Sequence, residues 1–362
     1  MSRRDFFKTG TGAITIGAVA GAALLGRCSM HNAVACTKCE DGLSSSPVPQ
    51  PSKQVGFLLH DFKTVTGRAG DAPNHIKPTE AMDATKFLTH FDRGTVTGRK
   101  NGGEIREYKL IAIDKNIEIS RGVTFPAWTF NGMVPGPTLR ATEGDLVRIH
   151  FINHSARDHT IHYHGIHPAN MDGVFEVVPP GGYYVYEFIA EPYGVFLYHC
   201  HKTPLRKHIA KGMYGAFIID PKVGREPATE MVMVMNGFDP TFTNEENQFY
   251  TVNGIAFHYN DNPIPLSVGE NVRIYLVNMT EFDLLNSFHL HANMFKYWRT
   301  GTRMDHYEYT DTVMLCQGER GILEFSYEHP GKYLFHAHQN EFAELGWMGV
   351  FDVKHESKPL LS

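Results

Sequence analysis

Four His-x-His triplets contain residue types that could bind metal ions. The chain has 21 histidines among 362 residues, and chance would supply about one such triplet. Residues two apart on a β-strand point to the same face of the sheet, so each triplet is expected to present two imidazoles together. Histidine is the commonest metal ligand among side chains, and eight imidazoles that converge indicate a metal cluster. The triplets supply His162 and His164, His199 and His201, His289 and His291, and His336 and His338.

A cysteine inside one triplet indicates a second kind of metal site. Cys200 lies between His199 and His201, so on a strand its side chain points away from both, into its own barrel. One thiolate, two imidazoles and a weakly bound thioether match the ligand set of a blue-copper electron-transfer site. His159 lies three residues before His162, so on a strand it faces away from the His162 and His164 pair, as Cys200 does from its own pair. His208 and Met213 follow Cys200 and complete the set.

The triplets belong to a unit that occurs twice in the chain. Residues 144–153 are echoed by residues 269–278, and the interval from a phenylalanine to the later triplet is eleven residues in both copies. The copies lie 125 to 137 residues apart. A separation of that size indicates a duplicated domain rather than a solenoid repeat.

The second copy keeps its His-x-His triplets but lacks the blue-copper set. Loss of all four ligands together is what duplication followed by specialisation would leave. The sequence therefore predicts one electron-accepting site and two half-clusters. Residues of other types occupy the positions aligned with His159, Cys200, His208 and Met213, in that order: Asn286, Ala337, Phe342 and Trp347.

The elements that must position these residues are predicted to be short β-strands. From about residue 103, β-branched and aromatic runs alternate with Gly, Pro and Asn turns about every ten residues, which is typical of all-β sandwiches. We expect a signal segment over 1–35, an extension and linker over 36–103, a first sandwich domain over 104–224 and a second over 225–356.

Several motifs in this region resemble the multicopper oxidase family, in particular its two-domain members with the type 1 copper in the first domain. The resemblance covers about residues 104–356 and implies an all-β fold of two consecutive cupredoxin domains, each a Greek-key sandwich. The motifs that carry it are residues 128–137, 162–165, 171–174, 199–201 and 211–215.

The resemblance also implies four coppers per chain and a role for each ligand. Cys200 would carry electrons from the type 1 copper to His199 and His201, and Asp172 matches an acidic residue that family members place near the cluster water. Glu341 and Glu344 are weaker candidates for proton supply. The resemblance assigns the type 2 copper to His162 and His289, and the type 3 pair to His164, His199, His201, His291, His336 and His338.

The activity implied is that of a laccase-like multicopper oxidase. A one-electron reductant, either phenolic or aromatic or a metal ion, would be oxidised at the type 1 copper, and four electrons would reduce O2 to water at the trinuclear cluster. The resemblance also implies a homotrimer, in which the first domain of one subunit contacts the second domain of its neighbour and the histidines of both domains meet at that contact.

Two other functions and several reductants stay open. Residues 344–346 resemble the second domain of copper nitrite reductase, although that enzyme's type 2 site takes three imidazoles and this chain has eight in paired triplets. A periplasmic copper-binding or electron-carrier protein would need only the type 1 set. Phenols, aromatic amines, Fe(II), Mn(II), Cu(I) and a small redox protein could all supply single electrons.

Charge and the N-terminus bound the partners and the compartment. The formal net charge is −5 and no basic block could neutralise a phosphate backbone, which argues against nucleic acid. Arg3 and Arg4, followed by an uncharged run over 9–26, resemble a twin-arginine export signal. We therefore expect a periplasmic or other extracytoplasmic protein, either cleaved near Ala35 or held at the membrane through Cys28 or Cys36. Cys36 and Cys39 match no covalent haem motif.

Overall fold

The computed structural model describes residues 83–356. The predicted signal segment, its cleavage site, most of the predicted extension and the Cys36 to Cys39 motif lie outside the described residues. Within 83–356, no helix combines the length and the hydropathy that crossing a membrane requires.

The first half of this region forms a β-sandwich. One sheet has the strand order β1-β2-β5-β7 with β3 paired to β2, and the other has the order β4-β9-β8-β6. Its strands are β1 (Thr95–Lys100), β2 (Gly103–Ser120), β3 (Val123–Phe130), β4 (Leu139–Thr142), β5 (Leu146–Asn153), β6 (His162–Tyr163), β7 (Tyr183–Ile189), β8 (Gly194–His199) and β9 (Tyr214–Asp220). The helical segments are α1 (Ala84–Thr89), a 3-10 turn (Ala169–Met171) and α2 (Leu205–Ala210).

The second half repeats this arrangement. Its sheets have the orders β11-β10-β13-β18-β15-β16 and β12-β20-β19-β14-β17. The strands are β10 (Thr229–Phe238), β11 (Phe249–Val252), β12 (Ile264–Ser267), β13 (Val272–Asn278), β14 (Leu285–Leu290), β15 (Phe295–Arg299), β16 (Glu308–Thr310), β17 (Thr312–Cys316), β18 (Arg320–Phe325), β19 (Gly331–His336) and β20 (Met348–Lys354), with helices α3 (His258–Asp261) and α4 (Asn340–Glu344).

The two sandwiches share strand pairings as well as sequence motifs. The parallel pairs β2/β5 and β4/β9 of the first correspond to the parallel pairs β10/β13 and β12/β20 of the second. The remaining pairs between named strands are antiparallel among the described residues. The all-β prediction is confirmed.

Strand β8 lies between two apolar cores and shows how alternation positions the triplets. Phe196 and Tyr198 point into the core of the first sandwich together with Cys200. Val195 and Leu197 point the other way, into a core that also contains residues of the second sandwich. Every residue of β8 is therefore buried, and successive side chains face different surroundings.

The described end of the predicted extension packs against both sandwiches. Helix α1 begins at a cap in which the Asp83 carboxylate accepts hydrogen bonds from the Thr85 and Lys86 amides. Ala84 and Leu88 lie in the core of the second sandwich, whereas β1 pairs with β2 of the first. The Ala84 carbonyl also accepts a hydrogen bond from Tyr259 at 2.8 Å.

A buried ion network ties the two sandwiches together. Arg140 of β4 donates to Asp220 at 2.7 Å within the first sandwich and to Glu230 of the second at 2.5 Å. Arg273 of β13 contacts Glu230 at 3.1 Å as well, and Tyr275 donates to the same carboxylate at 2.6 Å. Burial opposes the charged form of Glu230, but these hydrogen bonds outweigh it and lower its pKa to about 2.

The network predicts a pH-dependent loss of stability in a Glu230→Gln variant. The substitution removes the carboxylate that neutralises the buried guanidinium groups of Arg140 and Arg273. The variant should therefore be less stable by about 3 kcal/mol at pH 7. Because the folded-state pKa is depressed, the stabilisation is complete above the unfolded pKa near 4.5 and disappears as the pH falls towards 2.

Denaturant unfolding of the wild type and the variant across this pH range measures the difference. The exposed carboxylate Glu328 supplies the control, because Glu328→Gln should not change the free energy of unfolding. A gap between wild type and Glu230→Gln that stayed constant down to pH 2 would show that the charge of Glu230 is not what stabilises the folded state.

Candidate metal centres

Three of the predicted type 1 ligands meet in a buried group. The Cys200 sulfur lies 3.1 Å from Nδ1 of His208 and 3.6 Å from Nδ1 of His159, and the two Nδ1 atoms are 3.2 Å apart. All three side chains are buried. The structure thus brings together residues that are up to 49 positions apart in the chain.

This triangle fits a copper ion. The point equidistant from the three atoms lies about 1.9 Å from each, close to the roughly 2.0–2.3 Å of zinc bonds to imidazole nitrogen and thiolate. Burial foremost lowers the pKa of His159 to about 3 and that of His208 to about 4. Both rings are therefore neutral at pH 7, the form that binds metal, and a His₂Cys set suits copper.

Backbone contacts hold the ligands of this group in place. Cys200 follows the last residue of β8, and its amide donates to the Met213 carbonyl at 3.0 Å. The Met213 amide in turn donates to the carbonyl of His208 at 3.2 Å. Gly212 closes this turn at φ +107°, where a side-chain carbon would lie 2.4 Å from Val134. Met213 itself is fully buried in the same core as Cys200.

The four predicted histidines of the first sandwich form a second group. Strands β6 and β8 pair His162 with His199, so the two triplets lie side by side. The Nε2 atoms of His164 and His199 are 3.3 Å apart. Ring centroids within the group lie 5.1 to 5.9 Å apart for the pairs His162/His164, His162/His199, His162/His201, His164/His199 and His199/His201.

The second sandwich repeats this group with the same register. Strands β14 and β19 pair His289 with His336, and the Nε2 atoms of His291 and His336 are 2.9 Å apart. Ring centroids lie 4.9 to 6.0 Å apart for the pairs His289/His291, His289/His336, His289/His338, His291/His336 and His336/His338.

Contacts of the Nδ1 atom orient His199 and its counterpart His336 in the same way. His199 Nδ1 contacts the Cys200 carbonyl at 3.0 Å, and His336 Nδ1 contacts the Ala337 carbonyl at 2.6 Å. Because a carbonyl can only accept, each Nδ1 carries the proton and Nε2 keeps its lone pair. Such outer contacts fix the ring and its tautomer at metal sites.

The first ring of each group is held by an aspartate residue. His162 Nδ1 lies 2.8 Å from the Asp172 carbonyl and 3.1 Å from its carboxylate. His289 Nδ1 lies 2.9 Å from the Asp311 carbonyl and 2.8 Å from the Thr312 hydroxyl. Of the residues in these contacts, the sequence analysis had named Asp172. The contacts to Asp311 and Thr312 were not predicted, and the first is made by a backbone carbonyl, which any residue type could supply.

Electrostatics keep these groups ready for a cation. Burial is the main cause that lowers the pKa of His164 to about 3 and that of His199 to about 4. It also lowers the pKa of His291 and His336. Neighbouring imidazoles add to the shift because protonated rings would repel each other. Neutral imidazole nitrogens can bind a metal ion, and imidazole is a ligand that suits copper.

The two histidine groups are separate within one chain. His164 lies beside Gly318, whose position would place a side-chain carbon 3.8 Å from the ring. Gly318 lies beyond the Cys316 end of β17, whereas His289 pairs with Thr312 at the other end. At about 3.4 Å per residue, the two ends of β17 lie roughly 14 Å apart. The histidine group of the first sandwich therefore lies near one end of β17, and the histidine group of the second sandwich lies near the other.

The structure also places the weaker acidic candidates. Glu341 and Glu344 lie on α4 and are exposed.

The packing of Trp128 against the type 1 ligands was not predicted from the sequence. Its ring centroid is 4.8 Å from that of His208 and 5.9 Å from that of His159. Trp128 lies within one of the family motifs, which was the available signal.

Comparisons with known proteins agree with this geometry. Two family models, both described as multicopper oxidase, match residues 112–224 and 226–357. A solved structure described as a multicopper oxidase is 51% identical, with a TM-score of 0.74, and the match covers 76% of this chain and 98% of that chain. A blue copper oxidase from Nitrosomonas europaea is 26% identical with a TM-score of 0.62, covering 68% and 85%.

Copper nitrite reductases are also similar to this chain. The enzyme of Neisseria meningitidis serogroup A is 29% identical over 245 residues, which are 62% of this chain and 63% of that enzyme. The match therefore spans less than two thirds of that relative's length. The two sandwiches, the paired histidine groups and the two family models together show that the chain belongs to the multicopper oxidase family, with two cupredoxin-like domains.

Proposed function

We propose that the protein is a four-copper oxidase that couples one-electron oxidation of a reductant to reduction of O2 to water. The observation that carries this proposal is the pairing of one His₂Cys group with two groups of four histidines. Reduction of O2 to two waters takes four electrons and four protons, and a blue-copper site passes electrons singly. Copper, when bound, would supply that store of electrons and the binding place for O2.

Cys200 joins the two kinds of site through covalent bonds. Its side chain belongs to the type 1 group, while the residues on either side carry imidazoles of the first histidine group. Its own carbonyl contacts His199 Nδ1 at 3.0 Å. The His201 amide is held by the Thr160 hydroxyl at 2.9 Å. Electrons accepted at Cys200 would thus reach His199 or His201 without crossing a gap.

The number of histidines favours an oxidase over the two alternatives. A nitrite reductase of this ancestry would use three imidazoles at its type 2 site, and a carrier would use only the His₂Cys group. Neither use accounts for two equivalent groups with matched ring contacts. The similarity to nitrite reductases is explained by shared ancestry of the two sandwiches, and nitrite reduction stays the second candidate.

The separation of the two groups supports assembly from several chains. His291 and His338 are exposed in the single chain, and exposed apolar side chains lie near both groups in the sequence. Phe175 is 86% exposed and Ile166 is 63% exposed near the first group. Met314 is 59% exposed beside the second. We propose a homotrimer in which the first domain of each subunit completes its cluster with the second domain of the next.

Asp172 is the residue we propose for proton delivery to the cluster. Its carboxylate is 3.1 Å from His162 and 3.8 Å from His167, and it is about one third exposed. A carboxylate that contacts both a ligand ring and solvent can take protons from water and orient the ring at the same time.

The twin-arginine motif at Arg3 and Arg4 supports export of the protein to the periplasm.

A Cys200→Ser variant tests the electron route. Loss of the thiolate should remove the blue absorption and slow O2 uptake with a bulky one-electron donor by at least about a hundredfold. The exposed cysteine Cys316 provides the matched control, and Cys316→Ser should keep both colour and rate. An unchanged rate in Cys200→Ser would rule out transfer through that residue.

Two inactive variants test whether clusters form between chains. His164→Ala damages the first group and His291→Ala damages the second, so each homotrimer should lack every intact cluster. In trimers refolded from a one-to-one mixture, random assembly restores about one quarter of the clusters. O2 uptake should therefore reappear on mixing, and light scattering should give three chains per particle. A mixture that stays inactive, or full activity in a monomer, would contradict the proposed assembly.

A further inference from the structure

A cleft beside the type 1 group is lined by more positive than negative side chains. We call it the basic cleft, and it has a volume of about 660 Å³. Four cations line it, while Asp114 is the acidic residue in its lining, although the whole chain carries a net charge of −5. The residues that define it are Lys115, Trp128, Arg157, Lys207, Lys211 and Phe242.

The basic cleft is separated from the type 1 ligands by one aromatic ring. Trp128 lines the cleft, and its ring also lies beside two type 1 ligands, with centroids 4.8 Å from His208 and 5.9 Å from His159. Trp128 and His208 are only 7% and 4% exposed. A molecule that touches Trp128 in the cleft is therefore one ring away from a ligand of the electron-accepting site.

Cations surround that ring. The guanidinium carbon of Arg157 lies 4.6 Å from the centre of the Trp128 ring, and the Lys207 nitrogen lies 5.7 Å from it. Arg157 is partly neutralised by Asp114 at 3.1 Å. Among the described residues, neither Lys207 nor Lys211 has a carboxylate within ion-pair distance. Their positive charge is thus not neutralised by an ion pair.

A loop of the second sandwich gives the cleft an apolar side. The Lys211 nitrogen lies 3.9 Å from the centre of the Phe242 ring and is held by the Pro126 carbonyl at 3.1 Å. Phe242 is 44% exposed, and Ala127 lies in the same lining. Apolar and aromatic side chains beside several cations suit an aromatic molecule that also carries negative charge.

We propose that the basic cleft binds the electron donor and selects a small aromatic anion, such as a phenol or arylamine that bears a carboxylate. The inference rests on the proposed oxidase function, because it assigns the donor to that same type 1 site. Each donor would lose one electron, and a phenolic donor would also release its proton. Four such events would reduce one O2, with four protons, to two waters.

The same charges disfavour metal-ion donors. A cation such as Fe(II), Mn(II) or Cu(I) would approach against the field of Lys207, Lys211 and Arg157. Neutral phenols would gain only the apolar contact with Trp128 and Phe242. The inference thus narrows the reductants that the sequence left open to those with negative charge.

Paired ferrocene donors test this selectivity on the copper-loaded full-length protein. Ferrocenecarboxylate is an anion and ferrocenylmethyl-trimethylammonium is a cation of similar size, and both give one electron without a proton. For the anion, kcat/KM measured by O2 uptake should fall as ionic strength is raised from about 0.01 M to about 0.15 M, and for the cation it should rise.

Charge-neutralising variants assign the effect to the cleft. In Lys207→Gln/Lys211→Gln, KM for the anion should rise about fivefold, with kcat and the blue absorption unchanged, whereas KM for the cation should fall or stay constant. Comparing each donor with itself removes any difference in their potentials. Lys115→Gln should shift the anion's KM in the same direction, and Lys332→Gln, an exposed lysine on β19, should change neither.

A binding measurement separates this inference from the proposed function. Benzene-1,3,5-tricarboxylate is an anion that cannot donate an electron to the protein. Its binding can be measured by calorimetry and by the quenching of tryptophan fluorescence. The quenching should disappear in Trp128→Phe, because Trp128 lines the cleft. Lysine-dependent binding in a protein that takes up no O2 would contradict the oxidase proposal but keep the anion site. O2 uptake with anion kinetics that ignore both salt and the lysine variants would overturn the anion site and keep the oxidase.

Discussion

The alternation of side chains along strand β8 is the constraint on which the candidate metal centres depend. Consecutive residues of a strand face opposite sides, so Cys200 points into the first sandwich while His199 and His201 point out of it. A shift of one residue in the register of β8 would exchange these faces. The antiparallel pairing with β6 and β9, and the two apolar cores on either side, oppose that shift.

The second sandwich shows what the same framework does without a type 1 group. Phe342, aligned with His208, stacks on Tyr250 with ring centroids 3.9 Å apart. Trp347, aligned with Met213, is fully buried against Phe288 and Phe335. Ala337 replaces the thiol and is also buried. Apolar packing thus fills the space that ligands occupy in the first sandwich, while the histidine triplets on the outer face are kept.

The sequence was sufficient for every feature that depends on local periodicity. The face of Cys200, the shared face of the two histidines in each triplet and the equivalence of the two halves follow from alternation and from the internal repeat. The pairing of His162 with His199, and of His289 with His336, was not predicted, because local periodicity does not determine which strands lie side by side. Features made by backbone atoms or by distant loops were not accessible in this way. The Asp311 carbonyl beside His289 belongs to the first kind, and the approach of Phe242 to Lys211 belongs to the second.

Copper content, measured together with the product of O2 reduction, tests the central claim most directly. The purified full-length protein should hold about four coppers per chain, show a blue band from one of them, and convert O2 to water in a ratio of one O2 to four one-electron donors. About two coppers per chain, with nitrite consumed in place of O2, would contradict the account and assign the chain to nitrite reduction.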